Sequence, residues 1–130
     1  MVSPTDHFRF EYVDMNSWTN KVDRFYRLKD GWDGYFAPVP SMLAIEAAKQ
    51  FLHALEQFKS EPSRVAPSVE GGVGVTHKNG RRRVYVEFFN NGEVYALFSD
   101  DVEMPQTKRI PPDAARFNDL SAEIRKYLNA

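Results

Sequence analysis

Apolar residues recur along this chain with a period that switches between two and roughly 3.6, the repeats of strands and of helices. In residues 7–13, Phe8, Phe10 and Tyr12 fall on one side and His7, Arg9 and Glu11 on the other, which predicts a short strand. Over residues 17–29 the spacing of Trp18, Val22, Phe25 and Leu28 predicts a helix, with Asn16 or Ser17 able to cap its first turn. Residues 42–58 carry the most regular stripe. Ala44, Ala48, Phe51, Leu52, Leu55 and Phe58 share one face, while Glu46, Lys49, Gln50, His53, Glu56 and Gln57 lie largely off it. This helix should stop near residue 59, because Pro62 and Pro67 cannot continue it.

The period then shortens to two. Strands are expected over residues 72–78, 82–89 and 93–99, joined by Asn79-Gly80 and Asn91-Gly92. Asn-Gly steps favour the positive φ angles that tight hairpin turns require. In the second strand Val84, Val86 and Phe88 alternate with Arg83, Tyr85, Glu87 and Phe89, and in the third Val94, Ala96 and Phe98 alternate with Tyr95 and Leu97. One face is a plain core surface and the other is aromatic and mixed. Residues 60–67 and 100–112 read as polar connections, the second opening on Asp100, Asp101 and Glu103. Pro111-Pro112 precedes a last helix over 113–128, striped by Phe117, Leu120, Ile124 and Leu128. The order β, α, α, β, β, β, α predicts an α+β fold in one domain over 1–130, an antiparallel meander of three to four strands packed against about three helices.

Between the two long helices lies Leu-Lys-Asp-Gly-Trp-Asp-Gly-Tyr-Phe-Ala-Pro-Val-Pro-Ser, residues 28–41. Asp30-Gly31 and Asp33-Gly34 are successive turn signals, and Ser41 is placed to cap the helix that follows. Trp32, Tyr35 and Phe36 are expected to pin the loop to the core, which makes Trp32, Asp33, Gly34 and Tyr35 the parts of a structural clasp. Here the chain resembles a group of small uncharacterised bacterial and phage proteins. Their shared pattern opens Trp-Asp-Gly-Tyr, continues through Ala, Pro and Ser into an apolar helix, and reaches a meander through a Pro-x-Gly-Gly-type lead. The matching residues are Trp32, Asp33, Gly34, Tyr35, Ala37, Pro38 and Ser41, then Pro67, Gly71 and Gly72, over roughly residues 28–98. Phe36 stands where that pattern commonly has Gly. The resemblance implies a bacterial or phage origin and carries no activity.

Composition narrows the chemistry. Seventeen basic and eighteen acidic residues leave a net charge of -1, so any pull on nucleic acid or a membrane surface must come from a local patch. The absence of cysteine removes disulfides, thiolate catalysis and Cys-based zinc sites. No basic segment followed by an apolar run opens the sequence, and no run approaches the ~18 apolar residues of a membrane span, so a cytoplasmic protein is expected. His7, His53 and His77 lie on separate elements without metal-ligand spacing, and no Gly-x-Ser-x-Gly elbow is present. The glycine-rich run 69–74 lacks the Gly-Lys-Ser/Thr of a phosphate loop. No catalytic residue, metal site or cofactor is therefore assigned.

Two binding surfaces remain. Tyr85, Phe89, Tyr95 and Leu97 share the mixed sheet face, with Arg81, Arg82 and Arg83 at its rim, an arrangement suited to docking a partner protein or a second copy of the chain. The expected role is a non-catalytic regulator or inhibitor, of the kind found in defence, counter-defence or toxin and antitoxin systems. The alternative is nucleic-acid binding by the basic hairpin 78–83, where Lys78 joins the three arginines beside aromatic side chains. An enzyme with an unrecognised site is the third reading.

Overall fold

The computed structural model describes residues 16–130. The strand expected over residues 7–13 lies outside them. Helix α1, Asn16–Asp23, passes into a 3₁₀ turn, Arg24–Arg27. Together they replace the single helix expected over 17–29, and they bury Val22 and Phe25. The junction is tied to its neighbours by Lys49, which lies 2.8 Å from Asp23, and by the Tyr26 hydroxyl, which donates to Glu46 at 2.7 Å.

Helix α2, Met42–Gln57, starts where Ser41 takes an extended conformation and its Oγ accepts from the Ala44 N–H at 3.1 Å. That satisfies one of the donors every helix start leaves open. Its stripe is buried as the spacing requires, with Ile45 and Ala54 added to the expected set, except at Phe58, which ends the helix as a half-buried C-cap. The helix closes on Lys59 at φ 50, with the Ser60 N–H reaching back to the Leu55 carbonyl at 3.2 Å.

The sheet is an antiparallel meander in the order β1-β2-β3-β4-β5. Its strands are β1 (Arg64–Pro67), β2 (Gly72–Asn79), β3 (Arg82–Phe89), β4 (Val94–Ser99) and β5 (Gln106–Arg109). Helix α3, Ala114–Leu128, follows, capped by the Asp113 side chain. The class is α+β as expected, with five strands where three to four were expected. The two strands beyond the three expected over residues 72–99 are the edges. Each has four residues, too few for an alternation to emerge. β1 buries only Val65, and β5 is exposed throughout. Pairing with a longer neighbour, not strand propensity, makes them strands.

Register sets the two faces. Val65, Val75, Val86 and Ala96 form one transverse row, and Val73, Phe88 and Val94 the next. These rows pack beneath α2 and α3. Phe51, Phe88 and Phe117 meet at the centre with ring centroids 5.5 to 6.0 Å apart. The opposite face carries Gly74, Tyr85, Glu87, Phe89, Tyr95 and Leu97, and none of the described helices packs on it.

Candidate functional site

The loop between the 3₁₀ turn and α2 is shaped by its own hydrogen bonds. Gly31, at φ 78, donates to the Ala37 carbonyl at 2.8 Å, and Gly34, at φ 85, donates to Gly31 at 2.9 Å. Positive φ at both places is what the two Asp-Gly steps provide. Asp33 Oδ1 accepts from the N–H groups of Tyr35 and Ala37 at 3.0 and 3.2 Å. Asp30 Oδ1 accepts from Val39 at 3.0 Å, and Trp32 Nε1 donates to the Pro38 carbonyl at 3.0 Å.

The far end of the loop is fastened to the β3–β4 turn by Asn90. Asn90 Oδ1 accepts from the Ser41 N–H at 2.6 Å, its Nδ2 donates to the Val39 carbonyl at 3.0 Å, and its own carbonyl accepts from Ser41 Oγ at 2.9 Å. One serine thus caps α2 and ties the loop to the sheet. The buried anchors of the loop are small or cyclic, Ala37 and Pro40.

The aromatic side chains do not do what was expected of them. Tyr35 is 79% exposed and Phe36 95%, so neither pins the loop to the core, and only half-buried Trp32 takes part in holding it. The physical reason is that backbone donors bound to Asp30 and Asp33 already fix the chain path, which leaves the intervening aromatic residues free to point outward. A rigid segment that shows water two large rings is the opposite of a hydrophobic plug.

Beside the loop, the first turn of α2 exposes two more apolar side chains, Met42 at 69% and Leu43 at 61%. They form one wall of a groove of about 1220 Å³, whose other side is β4 and the link from β5 to α3, with Val94, Ile110 and Pro111. The charges around it are engaged, Arg109 with Glu93 at 3.8 Å, and Lys49 with Glu46 at 4.0 Å and with Asp23 outside the groove at 2.8 Å. A readable signal for this wall existed. Met42 and Leu43 fall outside the stripe that α2 buries, so a helix start with two large apolar residues off its core face was visible before any fold was.

Tyr85, Phe89, Tyr95 and Leu97 are brought together on the open sheet face, each half-buried against its neighbours. Phe89 and Tyr95 meet edge to face at 5.8 Å. The Tyr85 hydroxyl donates to Glu87 Oε2. Burial, and then this bond to a carboxylate, push the Tyr85 hydroxyl well above the usual tyrosine pKa. Glu87, unremarked in the sequence because it sits on the polar side of the alternation, is buried.

The arginines separate. Arg82 turns to the helical side, where its Nη1 donates to the Tyr127 carbonyl at 2.8 Å and its guanidinium lies 5.0 Å from the Tyr127 ring centroid. Arg81 and Arg83 stay exposed, and Arg83 stands opposite Lys78 in the register. The acidic run at Asp100 forms a turn. Asp100 Oδ1 accepts from Glu103 and Val102 N–H groups at 2.9 and 3.0 Å, which holds its carboxyl below the usual range. No group of three or more His, Asp or Glu among the described residues could hold a metal ion. No described helix is long and apolar enough to cross a membrane.

What these elements define is a class, an α+β meander with helices on one face and a clasped aromatic loop at the start of its central helix. No family model, curated protein or solved structure matches the chain.

Proposed function

We propose that this chain is a binding module that docks a partner protein, with Tyr35 and Phe36 as the anchors and the groove beside Met42 and Leu43 as the adjoining seat. The observation that carries this reading is the pairing of a fixed backbone with exposed rings. Phe36 is 95% exposed on a loop whose path is set by Asp30, Asp33 and Trp32. Exposed aromatic side chains carried on a fixed backbone have only their own two side-chain rotations to lose on binding, and such residues dominate interface energetics. The residues of the open sheet face support docking less well, because Tyr85, Phe89, Tyr95 and Leu97 are already half-buried. The basic hairpin is weaker as a nucleic-acid contact for a similar reason, since Arg82 is engaged with α3.

The test is a quantitative comparison of co-purifying proteins from the native host for the unmodified chain, a Tyr35→Ala/Phe36→Ala variant and a Val69→Ala control, with sedimentation to detect self-association. A partner retained by the control and lost from the double variant, at unchanged melting temperature, supports the reading. A partner that survives the double substitution overturns it.

A further inference from the structure

The open face of the sheet contains a second concavity, built by register. Ala66 of β1 lies beside Gly74 of β2, and Gly74 beside Glu87 of β3, so two minimal side chains leave a gap next to a carboxylate. The Tyr85 ring fills the part of this gap that lies over Gly74. A Cβ on Gly74 would stand 2.3 Å from its hydroxyl oxygen, and that hydroxyl donates to Glu87 Oε2. Phe89, braced by Tyr95, forms a further wall, and Ser68 and Glu70 of the β1–β2 turn help close a recess of about 420 Å³.

Glu87 is 7% exposed. Among the described residues Tyr85 is its hydrogen-bond partner, and no basic side chain lies within ion-pair distance of it. A carboxylate drawn out of water without a counter-charge is costly, and the cost falls when a cation arrives. Aromatic walls add their own attraction for positive charge. Because Oε2 is already engaged by Tyr85, the two-pronged geometry of a guanidinium would find only half its partner, whereas a point cation needs one oxygen. Arg64, exposed at the rim opposite Thr76, disfavours polycations.

We propose that this recess binds an alkylammonium group, free or at the end of a lysine-type side chain, with Glu87 as its counter-ion and Tyr85 and Phe89 as its aromatic walls. The site shares no residue with the Tyr35 and Phe36 loop and stands whether or not that loop docks a protein.

The experiment is an amide-resolved NMR titration of the full chain with N-acetyl-lysine amide, butylammonium and neutral N-acetyl-norleucine amide. The two ammonium probes are expected to give saturable shifts centred on Gly74, Tyr85 and Glu87, and the neutral probe none. Tighter binding of the lysine amide than of butylammonium assigns the source to a polypeptide, and the reverse or equality to a free amine. Glu87→Gln, which keeps an acceptor for Tyr85, should weaken ammonium binding by at least about tenfold. Should that variant fail to fold, Phe89→Leu removes a wall while leaving the carboxylate, and a similar loss is expected. Equal shifts with the neutral probe, no shift at about 10 mM ammonium, or full affinity in the folded variant would overturn the assignment.

Discussion

His77 packs edge-on against Phe51, ring centroids 6.1 Å apart, in a part of the core where neither of its ring nitrogens has a hydrogen-bond partner among the described residues. Burial lowers its pKa from 6.5 to about 4, so the folded chain holds it neutral. The unfolded chain takes up the proton first. Stability is therefore complete above pH ~6.5 and falls as the pH drops toward 4, by on the order of 3 kcal/mol in all. Urea unfolding at pH 7.5 and pH 4.5 should show this loss in the unmodified chain. His77→Leu, which keeps the volume and removes the titrating group, should flatten that part of the pH dependence and be at least as stable at neutral pH.

The loop makes a contrasting prediction, since what holds it and what it displays are different residues. Asp33→Ala strips the acceptor from two backbone N–H groups and should cost roughly 1–2 kcal/mol in chemical denaturation. Trp32→Ala loses one hydrogen bond and a half-buried ring, and should cost about 2 kcal/mol, less than a fully buried tryptophan would. Tyr35→Ala and Phe36→Ala remove side chains already in water and should stay within about 0.5 kcal/mol of the unmodified chain. A large loss of stability from Phe36→Ala would mean that its ring is buried in solution.

Gly74 and Tyr85 should be coupled. A methyl on Gly74 would meet the Tyr85 ring at 2.9 Å and its hydroxyl oxygen at 2.3 Å, so the ring must leave Glu87 to make room. Gly74→Ala alone should cost on the order of 1–3 kcal/mol. In a Tyr85→Ala background the same substitution should cost much less, because the obstruction is gone. Spectroscopic titration adds a second readout. Once displaced, Tyr85 should ionise nearer the ordinary tyrosine range, since both the burial and the bond to Glu87 that raise it are lost.

These relationships also mark what the sequence could and could not disclose. The central strands and α2 were legible because the alternations of β3 and β4, two Asn-Gly turns and a four-turn stripe each repeat one signal several times. β1 and β5 were not, because four residues at a sheet edge carry no period of their own. The loop's turns could be read from Asp-Gly steps, but the direction of Tyr35 and Phe36 could not. Aromatic residues are counted as core by default, and only the bonds to Asp30 and Asp33 reveal that the loop needs no plug. Glu87 was hidden for a related reason. Its burial depends on Tyr85 bending over a glycine in the next strand, a cross-strand event that no single run of residues records.

The basic hairpin yields the last contrast. Three consecutive arginines look equivalent in sequence, yet the pleat sends Arg82 alone to the helical side. There it satisfies the Tyr127 carbonyl in the last turn of α3, while Asn79 Nδ2 donates to the neighbouring Leu128 carbonyl at 2.7 Å. A cation at a helix C-terminus opposes the partial negative charge of its open carbonyls, and the Tyr127 ring beneath it adds a cation–π contact. Arg82→Ala should therefore lower stability by roughly 1–2 kcal/mol. Arg82→Lys should recover only part of that, because an ammonium cannot both lie flat on the ring and reach the carbonyl as a planar guanidinium does. Arg81→Ala and Arg83→Ala should change stability by less than about 0.5 kcal/mol. Equal losses at all three positions, measured side by side by thermal unfolding, would show that the hairpin acts as an undifferentiated charged tip and not as a clamp on α3.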